Sequence, residues 1–492
     1  MMKIEFLQEP ELEFGNGGRH IDIRFGMMHY KPLDYDSTSA PKEIKLGIVG
    51  SSETVEGLEI WLEKCSQGIE AKKSKQPYLF PEFPGFGEEN NLPAPIRVDS
   101  RRNAVISNKD IDKLLQIQDV NTLISETVKF FIEELRYIDE KTSPDVLVCA
   151  LPESLLEKMS VDEENTDSNN QPTSNNENNQ KEVELDFRDL FKAKAMALRK
   201  PTQIILPSTY NAAKKKSKIS KNKHKQKAQT IQDEATRAWN FYTALYYKAL
   251  GTPWRLVRDS RDLTTCYVGI SFYKTLDRSK LLTSTAQIFN ERGEGVILRG
   301  GQAELSKDDR QPYLPASDAS ELLSNALAMY RREHRNLPAR VVLHKTSRFI
   351  PEEFEGFQDA LDKHGIDTAE FISFDNRGGT RLFRYGKYPP LRGTLLSLDN
   401  YTHVLYTRGS VDFFSTYPGM YVPRPLKFRC ESVEETPKAL AQEILALTKM
   451  NWNNTQFDRG EPITIRAARQ VGHILKYVGK NDPLEFHYRF YM

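Results

Sequence analysis

The chain has 492 residues and 39% hydrophobic content, enough for about two to four domains with real cores. Lysine and arginine total 69 against 68 acidic residues, a net charge of +1, so the chain is not globally basic and any polyanion site must be local. The four cysteines (Cys65, Cys149, Cys266, Cys430) are scattered without a CxxC pair, and neither a secretory leader nor an apolar run near 18 residues is present; zinc knuckles, a disulfide framework and a membrane span are excluded, and a reducing cytoplasm fits.

Residues 1–40 form an N-terminal extended segment, with extended stretches near 4–7 and 20–25 and Gly15, Gly17 and Gly18 at the turn between them. The apolar run 44–50 predicts a buried strand, and Ser51 or Ser52 caps a helix with Val55, Leu58 and Leu62 on one face. This strand–glycine–helix unit (47–52) is the sole support for a dinucleotide-binding NAD enzyme, and it lacks GxGxxG. A helix over 120–138 turns Val120, Ile124, Val128, Phe131 and Leu135 to one side. A buried strand follows over 145–152. This alternation predicts an α/β domain with a largely parallel sheet. Residues 160–182 are acidic, Asn-rich and nearly free of apolar side chains, the composition of a disordered loop. The tract 214–227 packs eight lysines and His224 into fourteen residues; it reads either as a solvated loop or as a non-specific phosphate contact.

Between these tracts lies a set of cations. Arg188 and Lys192 are four residues apart and share one helix face, where like charges oppose each other by roughly 0.2–0.5 kcal/mol. Gln203 sits in the strand segment PTQII, and Lys248 ends an aromatic helix holding Trp239, Tyr242 and Tyr246. Three cations and an amide converging on a terminal phosphate is one reading; solvated faces of ordinary helices is the other.

Beyond residue 254 the pattern changes to a meander, with strands over 265–272, 283–290 and 295–299. A helix over 321–332, a buried strand over 340–344 and a hairpin over 393–398 and 403–407 follow. Thr436 caps a helix with Pro437 in its first turn, and a last helix covers 465–477.

The motifs FRDLFKAKAMALRKPTQII, YYKALGTPWRL, CYVGIS, RVVLHKTSRF and LTKMNWNNTQFDRGEPITI, with Ala467, Ala468 and Val471 beyond, occur in one order with one spacing. In that combination the chain resembles a short prokaryotic Argonaute from about residue 44 onward. The resemblance implies a Rossmann-like MID domain (41–253) followed by a ribonuclease-H-like PIWI domain (254–492), an α/β fold class throughout. It also implies a guide 5′-phosphate pocket, usually a Tyr–Lys–Gln–Lys set. Lys192, Gln203 and Lys248 match its last three positions, and Arg188 stands where tyrosine is usual. The same resemblance places Mg²⁺ and the terminal carboxylate of Met492 beside the phosphate.

Slicing relatives hold two metal ions on carboxylates. The matching positions here are Ser271, Thr346 and Arg469, which supply no anionic oxygen, and a glutamate finger is not placed, with Glu294 and Glu304 as candidates. The resemblance therefore implies a non-slicing protein. It would bind a 5′-phosphorylated guide RNA, recognise complementary single-stranded DNA and activate an APAZ-domain effector that depletes NAD in defence against plasmids or phages. The effector would be sirtuin-like, favoured by the segment GNGGRHIDIRFG, or TIR-type, and the heterodimer could assemble further on target binding. The alternative is a guide-directed nuclease.

Overall fold

The computed structural model describes residues 2–160, 184–211, 232–258, 263–289, 295–375, 379–419, 422–456, 460–479 and 482–492. The Asn-rich stretch beyond residue 160, the lysine-rich tract and Glu294 lie outside the described residues.

The first sheet is parallel. Its central strand, Ile44–Ser51, pairs with Val146–Ala150 on one side and with Ile96–Arg97 and then Asn103–Ile106 on the other; Val146–Ala150 in turn pairs with Thr202–Ile205. The strand Val146–Ala150 is buried along its whole length, which is why its sequence is continuously apolar rather than alternating. Ser51 caps the helix Ser52–Gln67 by accepting from the Thr54 N–H, and Thr54 Oγ1 donates to the Ala150 carbonyl. That helix start is closed by the chain's own groups. The long helix is Val120–Thr142, four residues longer than its apolar stripe indicates, and ends at Ser143 in the left-handed conformation.

The second sheet has nine strands in the order Lys3–Phe6, Thr394–Ser397, Thr402–Leu405, Leu426–Ser432, Thr368–Asp375, Arg340–Lys345, Thr265–Lys274, Leu281–Phe289, Gly295–Gln302. Thr265–Lys274, Arg340–Lys345 and Thr368–Asp375 run parallel at its centre, and the meander expected from the sequence forms one flank. Side chains alternate across the central strand. Cys266, Val268 and Ile270 join the core under the helices Ala316–His334 and Pro351–His364, while Tyr267 and Tyr273 face the core shared with Pro437–Leu447 and Ile463–Leu475. At Gly269 a Cβ would lie 2.2 Å from the Thr464 carbonyl oxygen, so only glycine lets the helix Ile463–Leu475 sit this close to the strand.

Three differences from the sequence reading have local causes. Residues 23–30, expected to begin extended, are the helix Ile23–Tyr30: the Asp22 carboxylate accepts the N–H groups of Arg24 and Phe25, and this cap outweighs the alternating pattern. The helix Pro351–His364 and the strands Thr368–Asp375 and Leu426–Ser432 were not anticipated. Finally, the N-terminal strand is no appendage. It pairs with Thr394–Ser397 and forms the outer edge of the second sheet.

Just past that strand, Glu9 accepts from Arg392 Nε at 2.8 Å and from Lys449 Nζ at 3.1 Å, and both cations are fully buried. Burial pushes the Glu9 carboxyl up, but Arg392 and Lys449 outweigh it and hold the group below its usual range. Glu9→Ala removes the carboxylate that two buried cations share and is expected to cost about 3–5 kcal/mol in chemical denaturation. Because the folded-state value is the lower one, the wild-type contribution is present above about pH 4.3 and is lost as the pH falls below it.

Candidate nucleic-acid interface

The helix Phe187–Ala195 starts at Asp186, whose carboxylate accepts the Asp189 N–H at 2.7 Å. That start sets the phase that puts Arg188 and Lys192 on one face. Lys192 is only 2% exposed, and its ammonium donates to the Thr202 carbonyl (2.5 Å) and hydroxyl (3.1 Å) on the neighbouring strand. Lys248, 1% exposed, closes the helix Glu234–Lys248 and donates to Gln203 Oε1 at 2.5 Å. The Gln203 amide nitrogen in turn donates to the Ile204 carbonyl at 2.9 Å. Arg188 is 42% exposed; it pairs with Asp189 at 2.9 Å and donates to the Tyr491 carbonyl at 3.1 Å.

The tertiary structure thus brings the three cations and the amide together. Arg188, Lys192, Gln203 and Met492 line one cavity of about 370 Å³. Lys248 does not line it; it stands behind Gln203 and reaches the cavity through that amide. Its lining also includes the apolar side chains of Ile124, Leu151, Leu156 and Met159 and the polar ones of Asn453 and Asp186. The sequence reading missed these apolar residues, because they come from separate elements, and it missed Asn453, whose only signal was its place in the Asn-Trp-Asn turn. Trp452 is buried against Tyr247, with ring centroids 4.6 Å apart.

The electrostatics are unusual for a protein interior. Among the described residues neither Lys192 nor Lys248 has a carboxylate within ion-pair distance. Burial drives the Lys192 ammonium well below the usual lysine range, and the neighbouring Lys248 and Arg188 charges lower it further. Burial, then Arg188, brings Lys248 down to about 7. Buried charges are normally paired. Neither lysine has a carboxylate partner among the described residues, and Lys192 lines an open cavity.

A second cavity, of about 500 Å³, lies where the carboxyl ends of the central parallel strands meet. Thr346 and Arg469 line it, and the Thr346 N–H donates to the Ile270 carbonyl, one residue before Ser271. Ser284 Oγ is placed against both the Ser271 carbonyl (3.3 Å) and the Ala468 carbonyl (2.8 Å), so the three positions read from the sequence are spatial neighbours. Arg469 pairs with Glu461 at 2.5 Å. Glu304 accepts from the Tyr313 hydroxyl on a separate two-stranded ribbon and does not line this cavity. Among the described residues no group of three or more His, Cys, Asp or Glu side chains is placed to hold a metal ion, and no helix is long and apolar enough to cross a membrane.

No family model matches the sequence. The Argonaute protein of Thermus thermophilus is 31% identical over 163 residues, which is 32% of this chain and 21% of that protein. Among solved structures, Clostridium butyricum Argonaute bound to a guide DNA and a 19-mer target DNA superposes with a TM-score of 0.67 at 16% identity, covering 99% of this chain and 55% of that one. Drosophila Piwi gives 0.59 at 12% identity, over 99% of this chain and 56% of that one. The chain therefore spans about half the length of the structures it matches.

The depressed Lys248 value has a thermodynamic sign that can be measured. A lysine whose folded-state value lies below its unfolded one destabilises the ligand-free fold at all pH values below about 10.4, most strongly at and below the folded value. Lys248→Met is expected to raise the melting temperature of the ligand-free protein at pH 6–7, with the gain vanishing toward pH 10.

Proposed function

We propose that this chain, an Argonaute homologue, anchors the 5′-phosphate of a guide strand in the cavity beside Lys192 and Gln203, and uses the bound guide to capture a complementary strand. The observation that carries this reading is the pair of buried ammoniums without a counter-ion. A terminal phosphate dianion would restore both charges, receive the Gln203 amide and pair with the more exposed Arg188 guanidinium. Charge-assisted hydrogen bonds of this kind contribute about 1.5–3 kcal/mol each. Arginine in place of an aromatic residue at 188 trades a stacking face for a further cation. Mg²⁺ is part of the proposal: with Met492 in the cavity, one terminal carboxylate plus phosphate oxygens is a donor set that Mg²⁺ accepts.

The guide is taken to be RNA and the captured strand single-stranded DNA, with base pairing supplying sequence specificity and the protein supplying backbone affinity. Cleavage is not part of the reading, because Ser271, Thr346 and Arg469 give no anionic oxygen to a metal pair. Output would then pass to a bound APAZ-domain effector, sirtuin-like or TIR-type, that hydrolyses NAD, with the heterodimer free to assemble further once target is bound.

Wild-type protein should bind a 5′-phosphorylated guide at least tenfold more tightly than its 5′-hydroxyl counterpart, and chelation of divalent ions should narrow that difference. Lys192→Ala with Lys248→Ala should erase the 5′-phosphate preference; unchanged discrimination in that double variant would mean the anchor lies elsewhere. Since Lys192 and Lys248 are both to be charged in the bound state, affinity for the phosphorylated guide should fall as the pH rises above about 7, by about ten- to a hundredfold per unit for one to two protons taken up, with no such slope for the 5′-hydroxyl guide. Incubation of the guide-loaded protein with complementary DNA or RNA and Mg²⁺ or Mn²⁺ should yield no product; a cut opposite the guide centre would favour a nuclease.

A further inference from the structure

The two edges of the nine-stranded sheet are finished differently. At one, Gly295–Gln302 is covered by the C-terminal segment: the Ile297 N–H donates to the Phe486 carbonyl at 2.6 Å, and Val296 bridges His487. At the other, Lys3–Phe6 pairs with Thr394–Ser397 on its inner side, and among the described residues no strand meets its outer side. The Leu7 N–H donates to the Gly393 carbonyl at 2.9 Å, which fixes the phase of this antiparallel pair. Peptide groups alternate in direction along a strand. Those of Lys3 and Glu5 therefore turn inward, and those of Met2, Ile4 and Phe6 turn toward the open edge.

Side chains divide the same strand by face. Glu5 lies 3.1 Å from Lys3 and 3.9 Å from Lys438 on the helix Pro437–Leu447. Met2, Ile4 and Phe6 share the opposite face and are 73%, 64% and 50% exposed. Natural edge strands commonly carry a charge, a proline or a bulge that blocks further pairing. This apolar stripe carries neither charge nor proline, and its register against Thr394–Ser397 runs without a bulge.

We propose that this edge is an interface for a second copy of the chain, which pairs with it antiparallel about a two-fold axis through Ile4. The inference goes beyond the reading of the chain as a guide binder and does not depend on it. The segment Met2-Lys3-Ile4-Glu5-Phe6 is complementary to itself in reverse. With Ile4 opposite its own copy, each Lys3 faces the partner's Glu5 and each Met2 faces the partner's Phe6. The outward peptide groups of the two Ile4 residues then exchange two hydrogen bonds across the axis, and those of Met2 and Phe6 meet as well. An axis through Lys3 or Glu5 would instead set like charges directly opposite, which is unfavourable, so the charges select one register. A two-fold contact uses the same edge on both copies and closes after two. A segment this short buries less than the roughly 1,200 Å² of total surface found in stable complexes, so the pairing is weak and concentration-dependent.

The test is sedimentation velocity of the full chain, without guide, over a concentration series reaching the high micromolar range. Wild type should show a monomer–dimer equilibrium. Lys3→Glu alone and Glu5→Lys alone should each weaken it by about tenfold, because each sets two like-charge pairs across the axis. Mixing these two variants should restore the dimer, since every Glu then faces a Lys. Both variants lack the internal Lys3–Glu5 pair, so the restoration reads the contact between copies. Ile4→Pro removes an N–H that faces the open edge; it should abolish the dimer and leave the melting temperature unchanged. Ile4→Cys should give a covalent dimer on mild oxidation, because opposed residues on the axis lie about 5.5 Å apart, within disulfide reach. Phe6→Cys should not, because its copy lies about four positions away along the strand. The four native cysteines are buried and do not compete. A chain that stays monomeric throughout, a dimer indifferent to these substitutions, a mixture that remains monomeric, or association that continues past two copies overturns the proposal. Protection of the Ile4 and Phe6 amides from hydrogen exchange only when a different protein is bound, with the chain alone monomeric, assigns the edge to that protein and overturns it too.

Discussion

Two ammonium groups, Lys192 and Lys248, sit in the interior with carbonyl, hydroxyl and amide oxygens for partners, and among the described residues no carboxylate. Much of the surrounding architecture can be understood as what it takes to keep them there. Lys192 is anchored across the strand Thr202–Ile205, and Lys248 is held at the end of a helix in which Trp239, Tyr242 and Tyr246 are fully buried. The core around them is continuous with that of the second sheet, so that Phe191, Tyr491 and Met492 belong to one cluster with Ile444 and Ile465. A packed core resists relaxation. The lysines cannot turn out to solvent without opening it, so burial disfavours their charged forms.

The two cavities use positive charge in different ways. At the first, the lysines are buried, and burial disfavours their protonation. At the second, guanidiniums stand partly exposed and are distributed along a cleft. Both arrangements lie within a chain whose net charge is only +1, so composition conceals them.

Much of the fold was legible because it depends on short-range periodicity. The apolar run 44–50, the stripe from Val120 to Leu135 and the Thr436–Pro437 start each specify an element within a few residues, and each element formed with ends shifted by a few positions at most. The helix Ile23–Tyr30 was misread because Ile21, Ile23 and Phe25 alternate like a strand, whereas the Asp22 cap acts on backbone donors that the pattern does not register. The helix Pro351–His364 was passed over although Pro351 opens it and Gly365 in the left-handed region ends it. The edge strand Lys3–Phe6 was read as extended, but its partner lies nearly four hundred residues away at Thr394–Ser397.

By itself the sequence determined the phase of the helix that places Arg188 and Lys192 on one face, the strand character of the segment bearing Gln203, and the absence of acidic side chains at Ser271, Thr346 and Arg469. These are properties of residue identity and of spacings under about four residues. Only the tertiary structure decided that Lys248 stands behind Gln203 rather than on the cavity wall, that Arg188 meets the Tyr491 carbonyl 303 positions away, and that Arg310 and Arg348 line one cavity. Burial and Coulomb interaction depend on which distant segments surround a charge, and a one-dimensional pattern carries no record of that.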